Sequence, residues 1–379
     1  MPQFRAAVVG TGFIGAVHLE SLRRIGVGIA GILGSSPEKG AAKGAAWGVP
    51  AYATYEELLA DPTVDVVHIT SPNDRHFDQA KAALLAGRHV VCEKPLAMTA
   101  AETAELVALA ASTGLVAAVN FNVRFYPQVH EMRERVANGS TGAPYLVTGR
   151  YFQEWLLKDT DWNWRADSAR GGMLRAVGDI GTHWFDLAQF VTGQRITEVM
   201  AELPTFVPVR RRPLGEVQTF SSGGAGETED VEIHSEDAAL ILVRFEGGAR
   251  GSVALSQVSA GRKNAISIEV NGARSSLAWR GEAPDELWIG HRDEPNQVLW
   301  RGSGSSAAAE AISTMPAGHI EGFENGFAAL YRAVYADVAA GAPSTNPSYA
   351  TFADGHRESL LLDAVAESAR TERWVKVGP

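Results

Sequence analysis

Cysteine is almost absent: Cys92 stands alone, so no disulfide can form within the chain, which suits a reducing compartment. No stretch approaches the about 20 consecutive apolar residues that a spanning helix needs. The N-terminus lacks a charged region followed by a leader-like apolar stretch and a small-residue cleavage site, so a cytoplasmic location is expected. Positive charge is also scarce. Lys and Arg number 34 against 44 Asp and Glu, a formal net charge of −10. Nucleic-acid binding needs a basic face that releases counterions, so that class is excluded. The one dense basic run, Arg210-Arg211-Arg212 beside Pro213, reads either as a solvated loop or as an anion site for a charged substrate. Internal repeats are missing. So are metal-ligand patterns: Asp179 and His183 are ligand types, but no third ligand stands at a recognisable spacing, and no metal is expected.

What is present suffices for two domains: 379 residues, 45% hydrophobic and 21% charged, the balance of an ordinary globular protein. Up to Asn120, short β-branched runs alternate with helical stretches. Strands are expected at Phe4–Val9, Val27–Leu33, Val64–Ile69, His89–Cys92 and Val116–Val119. Helices are expected at Ile14–Ile25, at Pro37–Trp47 with Pro in the first turn, and at His76–Ala86 closed by Gly87. Two more follow the capping pairs Thr54/Glu57 and Thr99/Glu102. This alternation predicts an α/β fold, a doubly wound parallel sheet with helices on both faces.

The pattern then changes. A helix at Gln128–Ala137 precedes a strand at Tyr145–Phe152, a loop rich in Trp and Asp, and a helix at Gly181–Val191. Ala238–Phe245, Gly251–Val258 and Ile266–Asn271, separated by turn signals, predict an antiparallel meander. Leu214–Glu229, rich in Gly, Ser and Glu, reads as a mobile loop. Helices at Gly322–Ala339 and Ala350–Ser368 close the chain. The boundary is expected near Asn120–Arg124, giving domains 1–122 and 123–379, with the C-terminal helices able to pack back on the first.

Gly10-Thr11-Gly12-Phe13-Ile14-Gly15 matches the dinucleotide fingerprint G-x-G-x-x-G. It follows the first strand and opens the first helix, the context that marks a Rossmann βαβ unit. The first Gly permits the tight turn, the second lets the backbone approach a pyrophosphate, and the third lets helix and strand pack closely. The phosphates then meet the positive end of the helix. After the second strand, an acid for the ribose 2′-hydroxyl is not found at Gly34-Ser35-Ser36. Ser35, Ser36 and Lys39 lean toward the 2′-phosphate of NADP, or the hydroxyls simply cap the helix at Pro37. The cofactor stays open between NAD and NADP.

Three further segments follow strands at the carboxyl edge, where open α/β sheets bind ligands. They are Ser71-Pro72-Asn73 with His76, then Glu93-Lys94-Pro95, then Asn120-Phe121-Asn122-Val123-Arg124. With the fingerprint and Asp179-Ile180-Gly181-Thr182-His183, this ordered set resembles the Gfo/Idh/MocA family of nicotinamide oxidoreductases over nearly the whole chain. The resemblance implies an N-terminal Rossmann domain and a C-terminal α+β domain with an open, mostly antiparallel sheet. It implies a catalytic group of Lys94, Asp179 and His183, and homodimers or homotetramers formed through the open sheet. It also implies that Trp164 and Arg165 approach the cofactor. Gly10, Gly12, Phe13, Ile14, Gly15, Ser71, Pro72, Asn73, His76, Glu93, Lys94, Asn120 and Asn122 complete the expected cofactor contacts; His76 reads equally as packed core.

The chemistry supports those roles. Oxidising an alcohol requires a base for the hydroxyl proton while hydride leaves to nicotinamide C4, and His183 is the suitable type. Asp179, four residues earlier, would lie one helical turn away and orient the imidazole. Lys94 would bond the substrate oxygen and stabilise developing alkoxide. Trp155, Trp162 and Trp164 offer faces for a sugar ring, or anchor a long loop. Arg124, Tyr151, Gln153, Lys158, Arg262 and His319 are candidate substrate contacts beside Lys94, Asp179 and His183. Arg262, Lys263 and Arg210–Arg212 keep an anionic sugar open. The expected function is an NAD(P)-dependent sugar or polyol dehydrogenase. The alternative is a redox-neutral glycoside hydrolase that oxidises, eliminates and re-reduces, with an extra base between Lys158 and Asp167. A cofactor-sensing protein without turnover is the third reading, and the intact Lys94/Asp179/His183 set argues against it.

Overall fold

The computed structural model describes residues 4–215 and 227–378. The first part of the chain alternates as expected. It runs β1 (Arg5–Val9), α1 (Phe13–Arg24), β2 (Gly28–Leu33), α2 (Pro37–Trp47), β3 (Ala51–Tyr52), α3 (Tyr55–Ala60), β4 (Val66–Ile69), α4 (His76–Leu85), β5 (His89–Cys92), α5 (Ala100–Thr113) and β6 (Ala117–Val119). Thr99 and Glu102 form the full reciprocal capping box at α5. At α3, Thr54 caps Glu57 but the Glu57 carboxylate reaches Ala53 N instead, at 2.8 Å. Strands β1, β4, β5 and β6 are mostly apolar, with His68 the one polar residue inside β4, because both faces of a parallel sheet are covered.

The second part runs α6 (Pro127–Ala137), β7 (Pro144–Phe152), α7 (Ser168–Gly171), α8 (Thr182–Thr192), β8 (Ile196–Glu202), β9 (Val209–Pro213), β10 (Thr228–Glu232), β11 (Ala238–Phe245) and β12 (Arg250–Ser256). It continues through β13 (Ala265–Gly272), β14 (Ser276–Arg280), β15 (Glu286–Gly290), β16 (Gln297–Trp300) and α9 (Ala307–Ile312). The closing elements are α10 (Phe323–Ala340), β17 (Ala350–Thr351), α11 (Phe352–Thr371) and β18 (Val375–Lys376).

Two compact units result. One runs to Asn122 and takes in Phe323–Ser359; the other is Val123–Gly322 and resumes at Leu360. The expected span 123–379 is therefore divided: α10 packs on α1, and β17 adds an antiparallel edge to β6. The first unit's sheet has the order β17-β6-β5-β4-β1-β2-β3, parallel apart from β17. Its core centres on Val67, Ile69, Val90, Leu106 and Phe121, all buried.

The second unit holds a nine-stranded sheet, β16-β15-β14-β13-β7-β12-β11-β8-β18. The expected meander is corrected here. β7 inserts between β12 and β13, pairing parallel with the former and antiparallel with the latter. Helices α6 and α8 cover one face, and Trp184 of α8 donates from Nε1 to Ser267 O at 3.2 Å. The other face exposes Met200, Leu242, Val298 and Trp300. The register carries a row from Met200 through Leu242 and Ala278 to Val298, so these lie on one side. Of the expected mobile loop at 214–229, residues 216–226 lie outside the described residues; β9 and β10, flanking it, pair antiparallel. Among the described residues no helix is long and apolar enough to cross a membrane, and no group of three or more His, Cys, Asp or Glu could hold a metal.

Candidate functional site

In the first unit the motif segments all leave the carboxyl ends of parallel strands. Gly10–Gly15 joins β1 to α1. Gly10 has φ +104°, and a Cβ there would stand 2.7 Å from Thr70. A Cβ on Gly15 would meet Gly10 O at 2.1 Å, so helix and turn close only on glycine. A Cβ on Gly12 would meet nothing within 4 Å: that side is open, as the approach of a pyrophosphate requires. The glycine set thus fits a dinucleotide. At the end of β2, Ser36 accepts from Lys39 N at 3.3 Å as the α2 cap and donates to Glu38 at 2.8 Å. This lowers the Glu38 carboxyl, through Ser36 first and its own backbone second. The lean toward a 2′-phosphate is thereby weakened: Ser36 is committed, and a carboxylate stands nearby where a phosphate needs positive charge.

Glu93 and Lys94 follow β5. Glu93 is 9% exposed and accepts from Asn120 Nδ2 at 2.5 Å and from Lys94 N at 3.2 Å, and it meets His18 Nε2 at 3.1 Å. Burial pushes its carboxyl up, but His18, Lys94 and Asn120 together outweigh burial and hold it below the usual range. His76 is fully buried, with Pro95 O 2.7 Å from Nδ1 and Ser71 O 2.9 Å from Nε2. It ties two strand-end loops together, which corrects its expected place as a direct cofactor contact. Ser71 Oγ donates to Gln79 at 2.6 Å, and Asn73 opens a short 3₁₀ turn behind Pro72. Asn122 begins another after β6.

The second unit holds the other group. Asp179 sits in a π-helical turn, Val177–Gly181, that runs into α8, and His183 lies in the first turn of α8. Such turns recur at functional sites because they re-aim side chains within a helix. Arg165 Nε lies 3.1 Å from Asp179 Oδ1, and Gln257 donates to Oδ2 at 2.9 Å. Arg165 also stacks on Trp164, 4.4 Å from the ring centre. Tyr151 lies beside His183, with ring centroids 6.2 Å apart. Burial first, then the Asp179 charge, holds its phenol above the ordinary range, so it donates. Its acceptor is Asn264 Oδ1, at 2.6 Å. Gln153 donates to the same oxygen at 3.0 Å and accepts from Trp155 Nε1 at 2.7 Å.

Other expected contacts resolve differently. Arg124 is buried and grips Asp186 of α8 with three hydrogen bonds of 2.5–3.0 Å, so it serves packing rather than an open pocket. Lys158 and His319 are exposed, and their carbonyls accept from Arg210 and Arg301. Each arginine of the basic run meets a carboxylate. Arg210 is fully buried on Asp237, Arg211 pairs with Asp159 at 2.7 Å, and Arg212 pairs with Glu229 at 2.6 Å. Arg262 reaches Glu282 at 3.4 Å, and Lys263 pairs with Glu154.

The family model described as an oxidoreductase family with NAD-binding Rossmann fold matches residues 4–121, and the Gfo/Idh/MocA C-terminal domain model matches residues 129–278. The chain belongs to the Gfo/Idh/MocA oxidoreductase family. A levoglucosan dehydrogenase of Pseudarthrobacter phenanthrenivorans is 31% identical over 85% of this chain and 82% of its own. A levoglucosan dehydrogenase solved with NADH and L-sorbose matches at TM-score 0.89 and 28% identity, covering 100% of both chains. An oxidoreductase domain protein from Kribbella flavida matches at TM-score 0.89 and 32% identity, again over 100% of both.

For this member of the Gfo/Idh/MocA family, motif reading missed Gln257, Asn264, Glu38 and His18. Gln257 and Asn264 are single residues at strand ends with no spacing signal. Glu38 was masked by its place inside a helix, although an acid soon after the second strand is the signal a nicotinamide site offers. His18 lies three residues past the fingerprint, on the buried face of α1.

Proposed function

We propose that this chain is an NAD-dependent dehydrogenase acting on a hydroxyl carbon of a neutral sugar or polyol. The observation that carries it is the first unit's combination of a glycine turn open at Gly12 after β1 with a lysine, Lys94, at the carboxyl end of β5. Bound NAD supplies the hydride acceptor. Lys94 bonds the substrate oxygen and stabilises the negative charge that develops on it. His183 removes the hydroxyl proton, and Asp179, fixed by Arg165 and Gln257, stabilises the resulting imidazolium. The names of the relatives support a sugar substrate. Neutrality is supported by the pairing of Arg210, Arg211, Arg212, Arg262 and Lys263 with carboxylates. Glycoside cleavage has no such support: in the loop expected to host its base, Asp159 pairs with Arg211, Asp161 accepts from Lys158 N, and Asp167 caps α7.

The test is a cofactor-reduction screen with levoglucosan, other sugars and polyols, acidic sugars and aryl glycosides. Net reduction of NAD on neutral sugars is expected, with kcat/KM about tenfold or more above that with NADP, a difference of about 1.4 kcal/mol. Glu38→Ala should narrow that ratio. Release of aglycone with no net cofactor change would replace this reading by the hydrolase.

We propose further that the sheet face bearing Met200, Leu242, Val298 and Trp300 joins copies of the chain, because soluble monomers rarely leave such apolar faces bare. Light scattering should return the mass of a dimer or tetramer. A monomer at micromolar concentration would remove the proposal.

A further inference from the structure

Inside the first unit a line of hydrogen bonds runs through the core, and the reaction above does not use it. Tyr335 Oη lies 3.1 Å from His68 Nε2, His68 Nδ1 lies 3.1 Å from His18 Nδ1, and His18 Nε2 lies 3.1 Å from Glu93 Oε1. Both imidazoles are 0% exposed. Tyr331 stands edge-on to His68 at 4.8 Å between centroids, and Phe327 edge-on to His18 at 5.6 Å, so water is kept out. Groups buried this way must satisfy one another.

Each link needs one proton, and that requirement fixes the tautomers. Ionised Glu93 only accepts, so His18 must donate from Nε2. Burial holds His68 well below the usual imidazole range, leaving it a single ring proton. If His18 is neutral, its Nδ1 accepts from His68 Nδ1–H, and His68 Nε2 accepts from the Tyr335 hydroxyl. Every group is then satisfied. If His18 were a cation, the line would reverse beyond it, and the Tyr335 hydroxyl would have no acceptor among the described residues, a costly loss in a buried site.

We propose that His18 and His68 are positioning residues whose opposed tautomers aim one N–H at Glu93, which in turn fixes the chain at Lys94. Glu93 accepts the Lys94 backbone N–H, its charge attracts the Lys94 ammonium, and Asn120 braces the same carboxylate from the next strand. The inference rests on the role given to Lys94 above, but the tautomers can be read without any substrate.

The experiment uses the full chain with ¹⁵N-labelled histidine, assigned through His18→Gln and His68→Asn. His18 should carry its ring proton on Nε2 and His68 on Nδ1. A doubly protonated His18 near neutral pH, or matching tautomers, overturns the proposal. Turnover is then measured with NAD and the best sugar of the screen. His18→Leu should lower kcat about tenfold or more, the scale of losing a partner that orients a reactive group, while KM and NADH affinity stay within about threefold. His18→Gln, which keeps an N–H at the Nε2 position, should recover most of that loss. Equal losses in both variants would mean a merely structural role and overturn the proposal. If His18→Leu does not fold, His68→Leu against His68→Asn gives the same contrast, because Asn keeps the donor to His18. In a Lys94→Met background, His18→Leu should cost nothing further; a full additional loss overturns the proposal. Should Lys94→Met alone leave kcat intact, the assignment of Lys94 fails, and the tautomer result stands apart from it.

Discussion

Lys94→Met is expected to lower kcat by roughly 10²–10⁴-fold, the range for removing a positioned proton donor or a charge that stabilises an oxyanion. Methionine keeps the length of the side chain and removes only its charge and donors. NADH affinity should therefore stay within about threefold, because the glycine turn that receives the dinucleotide lies on a different strand connection. The fold should hold as well: the Lys94 backbone N–H still meets Glu93, and the core around Val90, Cys92 and Phe121 is untouched. Stopped-flow measurement separates the hydride step from product release. A pre-steady-state rate within a few fold of wild type would refute the chemical role of Lys94. A loss shared equally between kcat and cofactor binding would instead make it a cofactor anchor.

Residues whose meaning lies within one strand–turn–helix unit could be read before any coordinates. Gly15 is such a residue: its need for a bare Cα arises from the Gly10 carbonyl, five residues earlier in the same turn, whereas Gly10 itself is pressed by Thr70 at the distant end of β4. The strands of the first sheet were legible because buried parallel strands are mostly apolar runs. β3 was not, since two residues, Ala51 and Tyr52, cannot show a period, yet this strand completes the edge next to β2. The place of β7 was illegible for another reason. Its parallel pairing with β12 joins segments about a hundred residues apart, and alternation within a strand says nothing about its neighbour. The candidate site divides the same way. Lys94 was located by the strand just before it. Gln257 and Asn264 acquire meaning only through Asp179 and Tyr151, which stand far away in sequence. Arg210 looked like a surface charge because it sits in a run of three; β9 turns it inward onto Asp237.

That burial leads to the second large effect. Asp237 is 0% exposed and takes both Arg175 and Arg210 on one oxygen, with the backbone N–H groups of Phe206 and Val207 at 2.7 Å on the other. Burial pushes its carboxyl up, but Arg175, the Val207 amide and Arg210 overcome burial and hold it below the usual range. The neighbouring Glu236 accepts from Arg175 N and Val177 N at 3.1 and 2.8 Å, at the start of the turn that carries Asp179. Arg210 also donates to the Lys158 carbonyl of the tryptophan loop. Asp237→Ala would leave two guanidinium groups buried without their counter-charge. Breaking a buried ion pair by deleting one partner costs about 3–5 kcal/mol. For a unit of this size the melting transition should fall on the order of 10 °C. The triple change Arg175→Met, Asp237→Leu, Arg210→Met should recover much of that loss, because apolar packing replaces the charges together. Calorimetry decides it: an Asp237→Ala melting point within about 2 °C of wild type would show the cluster to be hydrated rather than sealed. If it is sealed, the single variant should also lose turnover out of proportion to its cofactor affinity, since its partners hold the segment that carries Asp179 and His183 and leave the glycine turn alone.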